Sequence, residues 1–267
     1  MNAYYNLSPL EVSLAAGLIL IAGAVSLALK LGLEWRLALA SIRTVTQLIL
    51  IGYLLGWIFA QSHFIAIGAL LVLMTVTAGI AAVRRTNHRF PRIYVSSVVA
   101  IMGSSWLVTA ITLSAIIDPS VWRDRPAQYV IPILGMMLGN VLTGISLGLD
   151  QLGKSLANER TRVELYLSLG ATRWEAAQPF VREAIRTGMI PIINSMMVVG
   201  LVSLPGMMTG QLLSGVEPLA AVEYQIIIMF MICASTSLGT IGVVMLGFQQ
   251  LFNKRHQFCH TRLRRLE

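Results

Sequence analysis

Forty consecutive residues, Thr44 to Val83, contain no Asp, Glu, Lys or Arg. A spanning helix needs about 20 apolar residues, so this single run has to cross a bilayer twice and turn near Gln61-Ser62-His63. Further uncharged runs cover 12–29, 93–117, 126–149, 187–216 and 224–253, which brings the expected number of spans to seven. The composition agrees: 56% of the 267 residues are hydrophobic and 12% charged, against about a quarter charged in soluble domains. Lipid offers no hydrogen bonds to the backbone, so apolar runs of this length read as helices. The expected fold is all-α, a polytopic membrane protein forming one transmembrane domain over 1–267.

Charge placement tests the count independently, because Lys and Arg collect in cytoplasmic loops. With the N-terminus outside and the C-terminus inside, 18 of the 20 basic residues fall on the cytoplasmic side; only Arg123 and Arg125 remain outside. The stretch 30–43 is the least regular and reads as a span start or an interfacial elbow helix. The net charge of +8 follows from this topology and from attraction to anionic lipid heads, and gives no reason to invoke nucleic acid. The opening Met1-Asn-Ala-Tyr-Tyr-Asn6 lacks the basic n-region of a cleavable signal peptide, so the first span is expected to stay. Cys233 sits in the last span and Cys259 in the basic tail 254–267, an arrangement that makes no disulfide framework.

The longest polar interruption is 150–188, between the fifth and sixth spans. Gly148-Leu-Asp-Gln-Leu-Gly153-Lys154-Ser155 matches the P-loop letters, but that chemistry needs a strand feeding a backbone-rich loop, and here an apolar helix runs into it. After it, Val163, Tyr166, Leu167, Gly170 and Trp174 recur at helical spacing beside the polar Glu159, Arg160, Arg162 and Glu164. Gly170 is placed to end one short helix. Thr172, with Glu175 three residues on, is placed to cap the next as a T-x-x-E box. Amphipathicity alone fits an interfacial helix on lipid equally well.

Glu164-x5-Gly170 followed by Ala171-Thr172-Arg173-Trp174-Glu175-Ala176 resembles the E-A-A-x3-G coupling loop of ABC-transporter permeases. Leu165 and Tyr166 replace the two alanines, and the downstream I-x-L-P is not found, so the likeness is to a docking element rather than to importer mechanics. Together with Ile131-Pro-Ile-Leu-Gly-Met-Met-Leu-Gly-Asn140, Val199-Gly-Leu-Val-Ser-Leu-Pro205-Gly206-Met-Met-Thr-Gly210 and Tyr224-Gln225-Ile226, it is similar over nearly the whole chain to the FetB (YbbM) permease family. That family includes a bacterial iron exporter and a plant aluminium-tolerance permease. The resemblance implies a homodimer of permeases in the bacterial inner membrane, bound in a 2:2 complex to a separate cytoplasmic ATPase similar to FetA. ATP and Mg would sit on that partner, with no cofactor on this chain. Leu169, Gly170 and Ala171 would allow close approach at the tip of the loop, Thr172 would cap the following helix, and Glu164, Arg173 and Glu175 would supply polar contacts at the rim.

The transport path is less marked. Glycines spaced at four, Gly135/Gly139, Gly144/Gly148 and Gly206/Gly210, suit close helix packing in lipid. Pro205-Gly206 within 187–216 predicts a kink or break, which makes Ser203 to Gly210, with Met207 and Met208, the candidate gate. Gln47, Asn140, Asn194, Ser195 and Gln211 are uncharged polar groups within spans and should face other helices or a wet path. No carboxylate lies mid-span, so no hard-ion cage is expected. The paired methionines (136/137, 196/197, 207/208) suit soft ions but read first as adaptable packing, and His256-x-x-Cys259-His260 lacks a fourth metal ligand. Three functions fit: an exporter permease for iron or a related metal, an exporter of a sugar nucleotide such as UDP-glucose, and an ATP-independent secondary transporter. The last lacks a mid-membrane acid and leaves 164–176 unused.

Overall fold

The computed structural model describes residues 8–61, 63–253 and 255–265. The hexapeptide Met1 to Asn6, Ser62 of the first expected turn and Lys254 of the tail therefore lie outside the described residues. Ten helices follow one another along the described chain: α1 (Pro9–Ala28), α2 (Glu34–Gln61), α3 (Phe64–Arg84), α4 (Ile93–Ile111), α5 (Pro119–Trp122), α6 (Pro126–Asn158), α7 (Arg160–Ser168), α8 (Arg173–Val198), α9 (Gly206–Leu213) and α10 (Pro218–Leu251). A two-residue antiparallel ladder, β1 (His88–Arg89) with β2 (Arg264–Arg265), ties the tail to the α3–α4 loop. The protein is an all-α, multi-pass membrane protein.

Helix starts follow the local chemistry. Ser8 and Glu11 form a capping box ahead of α1, and Asp118 accepts the Ser120 N–H at 2.8 Å ahead of α5. The first turn comes where the uncharged run is twice a span long, with α2 ending at Gln61 and α3 beginning at Phe64. Residues 34–43 do not make a separate elbow; they are the first turns of α2, set off from α1 by Lys30 and Gly32 at positive φ.

The helices do not reproduce the expected seven spans one for one. Among the described residues, five helices are long and apolar enough to cross a membrane: 34–60, 64–84, 93–116, 126–158 and 218–251. The expected sixth span, 187–216, is not one helix: its first part is the end of α8, residues 199–205 are irregular, and α9 follows. α8 itself begins in polar sequence, so its charge lies in its first half and its apolar length is too small to span alone.

The bundle is organised on α6 and α10, against which α3, α4 and α8 pack. Glycines let the backbones approach. A Cβ on Gly144 would lie 2.7 Å from Thr236 Cγ2, and one on Gly188 would lie 2.6 Å from the Gly144 carbonyl oxygen. Helices in lipid associate by such packing and by interhelical hydrogen bonds rather than by a hydrophobic drive. Hydroxyls line the same seam: Ser105, Ser235, Thr236 and Thr240 are buried, and the Ser235 hydroxyl donates to Ser105 Oγ at 3.3 Å. Of the three expected glycine pairs, Gly144/Gly148 packs as anticipated. Gly135 meets only the end of Met74, while Gly139, Gly206 and Gly210 meet nothing within 4 Å inside this chain.

At about 1.5 Å per residue, the 33 residues of α6 make a rod of about 50 Å, against about 30 Å of hydrocarbon. Its last turns therefore project from the membrane and carry α7 with them. The P-loop look-alike lies inside this unbroken rod. A Cβ added at Gly153 would lie 2.5 Å from the Cβ of His88, so this glycine lets the α3–α4 loop approach the rod, and a continuous helix supplies no loop to cradle a phosphate.

Candidate functional site

The α7–α8 connection is a rigid, closed turn. Gly170 takes a φ of +91°; its N–H donates to the Leu167 carbonyl and the Ala171 N–H to the Tyr166 carbonyl, the paired bonds of a Schellman ending. Thr172 and Glu175 then form the expected capping box. The Thr172 N–H and hydroxyl donate to Glu175 Oε2 at 2.7 and 2.8 Å, and the Glu175 N–H donates to Thr172 Oγ1. The Thr172 N–H, then its hydroxyl, and also the nearby His256, hold the Glu175 carboxyl below the usual carboxylate range.

Beneath the turn, packing fixes its position. Val163, Ala176 and Ala177 are fully buried, and Trp174 meets Phe248 edge-on at 5.6 Å. Phe248, Phe252 and Phe258 continue this as a stack with centroids 5.3 and 5.1 Å apart. Above it, Leu169 is 76% exposed at the tip. The polar residues expected at the rim have mostly internal duties. Glu164 pairs with Arg160 at 2.7 Å, Glu175 is spent on the cap, and the Arg173 guanidinium lies over the Phe248 ring and donates to the Asn253 carbonyl.

The basic tail is the part that sequence reasoning missed. It folds back against the turn: the Arg173 N–H donates to His256 Nδ1 at 2.9 Å, across 83 positions of sequence. That bond satisfies one of the orphan amides at the start of α8. Between tail and turn lies an open groove of about 840 Å³, lined among others by Glu164, Gly170, Thr172, Arg255, His256 and Cys259. His256, Cys259 and His260 do not assemble with other residues into a metal-binding group; none of three or more His, Cys, Asp or Glu occurs among the described residues. The local hints were Phe258 and Leu263, apolar residues of the basic tail that both pack against the core.

The candidate gate breaks earlier than expected. α8 ends at Val198, Gly200 turns with φ +84° and donates its N–H to the Ser203 carbonyl at 2.9 Å, and Pro205 leads into α9. Gly200 rather than Gly206 supplies the left-handed residue. Leu201 and Val202 are 91% and 81% exposed. Met196, Val199, Gly200 and Met208 meet Gln225 and Phe230 of α10 around a mostly apolar cavity of about 330 Å³. Gln225 is buried there with its Oε1 unpartnered, a path candidate that was visible as the polar residue opening the last uncharged run. Met207, Gln211 and Gly210 sit half-buried beside it on α9, while Ser203 and Gly206 are exposed.

The other in-span polar residues point away from this chain. Gln47, Asn140, Asn194 and Ser195 are all exposed. Asn140 continues an open stripe on α6 with Pro132 and Leu147, its amide donating to the Met136 carbonyl of its own helix. Because Gly144 packs on Gly188 and Gly148 on Ala184, α6 and α8 run antiparallel. Asn140 and Asn194 therefore lie about 6 and 9 Å from that crossing toward the same end. These two amides share one depth. The structure does not bring Gln47 to them: α2 meets the bundle through Ile51, Leu55, Ile58 and Phe59 instead.

Comparison with known proteins fits this architecture. A model described as uncharacterised protein family UPF0014 matches residues 9–252. The chain is similar to the probable iron export permease protein FetB of Escherichia coli strain K12, with 34% identity over 99% of this chain and 100% of that protein. It is 35% identical to the UPF0014 membrane protein YjkA of Bacillus subtilis over 93% of this chain and 97% of the relative. It is 32% identical to the Arabidopsis thaliana protein ALUMINUM SENSITIVE 3 over 90% of this chain and 85% of that protein. No solved structure matches. With the match covering every helix from α1 to α10, the chain belongs to the UPF0014 family of membrane proteins.

Proposed function

We propose that this chain is the membrane subunit of an ABC exporter, driven by a separate cytoplasmic ATPase of the FetA type. The observation that carries this is the α7–α8 turn: capped at both ends, fixed from below by buried alanines and an aromatic stack, and open above at Leu169 and Gly170. A lever must be stiff to transmit force. An interfacial helix resting on lipid would not need a Schellman ending, a capping box and a tail clamp on one turn. ATP-driven closure of the partner would then tilt α6 and α8, the antiparallel helices that lead into and out of the α7–α8 segment.

Two copies of the chain make the working unit in this reading. Asn140 and Asn194 are costly to leave against lipid, and a second copy facing α6 and α8 would enclose them in a shared path. ATP and Mg bind the partner. The cargo is iron or a related metal, by similarity to the E. coli protein, and amides, hydroxyls and thioethers along α6, α8 and α9 offer it passing contacts rather than a cage. The test is reconstitution of the chain with a FetA-type ATPase in vesicles, measuring ATP hydrolysis and export with iron and with UDP-glucose. Stimulation by iron is the expected result. Stimulation by the sugar nucleotide alone would reassign the cargo, and failure to form any complex with the ATPase would overturn the subunit assignment.

A further inference from the structure

Past the groove, the tail crosses the α7 end of the bundle and reaches the α3–α4 loop, where the pairing is electrostatically odd. The β1–β2 register sets Arg89 directly opposite Arg264, and like charges facing each other across a ladder oppose pairing. Arg262 adds a third guanidinium, held by a bond from its Nη1 to the Gln250 carbonyl at 3.0 Å. These three arginines, with Phe90, Pro91 and Thr261, line a cavity of about 460 Å³.

Among the described residues no carboxylate pairs with them. Asp150, the acid serving this loop, is occupied by the Asn87 N–H at 2.8 Å and the Asn87 side chain. The ion pairs among the described residues, Arg160–Glu164 and Arg186–Glu183, lie elsewhere. Arg89 is stacked over Tyr94 at 5.6 Å, and its Nε is buried without a hydrogen-bond partner. A fixed, partly desolvated guanidinium with an unused donor is what recognises a phosphate, because the planar fork matches two of its oxygens.

We propose that the Arg89–Arg262–Arg264 cavity binds a phosphate group, supplied by an anionic phospholipid headgroup or by free phosphate. The bound anion neutralises the facing arginines and pins the tail to the α3–α4 loop. The ladder is then conditional on the anion. This inference does not depend on the transport reading, since it needs neither the ATPase nor the cargo.

The test is thermal unfolding of the full chain, purified in a zwitterionic detergent, with two probes at matched ionic strength. One is phosphatidylglycerol doped into the micelles; the other is inorganic phosphate against chloride. The wild-type midpoint should rise by several degrees with at least one probe, and the double variant Arg89→Gln/Arg264→Gln should lose that rise, while Arg123→Gln at the opposite end keeps it. A response to lipid alone assigns the headgroup; a response to phosphate assigns the soluble anion. If the double variant does not fold, Arg264→Gln alone, at an exposed position of the ladder, should still weaken the response. No response to either probe, or equal responses from wild type and variants, overturns the site.

Discussion

Replacing Gly170 separates a contact inside this chain from a contact with a partner. Its φ of +91° strains any L side chain, at about 1–2 kcal/mol. A Cβ added there meets nothing within 4 Å. Gly170→Ala and Gly170→Arg therefore carry the same backbone strain, and the Cβ of each has open space around it. Against a native stability of about 5–15 kcal/mol, both variants should insert and fold. They should diverge only when the partner is present. A bulky side chain at the centre of a docked tip removes the close approach, and losing such a hot spot costs about 2 kcal/mol or more, or about 30-fold in affinity. The assay is ATPase binding and cargo-stimulated hydrolysis in reconstituted vesicles, with folded yield measured by size exclusion. Gly170→Ala should stay within a few-fold of wild type, while Gly170→Arg should lose coupling at normal yield. Equal coupling by the two variants would refute the docking argument, and a collapse in yield for Gly170→Arg alone would show that the tip is buried within the subunit.

Gly188→Ala should be poorly tolerated, because its Cβ would lie 2.6 Å from both the Gly144 carbonyl and Thr240, and overpacking costs about 1–3 kcal/mol; melting in detergent should drop by several degrees, with Gly103→Ala, which meets nothing, as the neutral control. Thr172→Ala should loosen the start of α8 by about 1 kcal/mol, read as faster hydrogen exchange at 173–176. The pH dependence follows from the lowered Glu175 carboxyl: its stabilisation is complete above the usual carboxylate range and is lost as pH falls through the lowered value. Comparing wild-type melts with those of Glu175→Gln, which can still cap but cannot titrate, should show an advantage at neutral pH that vanishes in acid.

The α7–α8 turn was legible because its signals are local. Gly170, Thr172 and Glu175 lie within six residues, and each has one conformational use that the neighbouring letters support. The irregular segment of the sixth span was legible in kind but misplaced: Pro205-Gly206 is the loudest pair, yet the left-handed turn falls on Gly200, and α8, which runs through Pro179 and Pro191, ends at Val198. The glycine pairs show the limit of spacing arguments. Gly144 and Gly206 sit in the same motif, and only the arrangement of α8 and α10 decides that the first is crowded and the second open. The tail was illegible for a different reason. His256 and Arg173, like Arg264 and Arg89, meet across more than 80 residues with no periodicity connecting them.

That long separation bears on how the protein is made. The amide of Arg173 waits for His256, and the α3–α4 loop waits longer still for Arg264, so the face carrying the α7–α8 turn is finished only after α10 has been synthesised and inserted. Until then the groove has one wall. A chain interrupted after α8, or one whose last span fails to insert, would present an incomplete surface to any partner, so assembly on this face reports that the whole helical domain is in place.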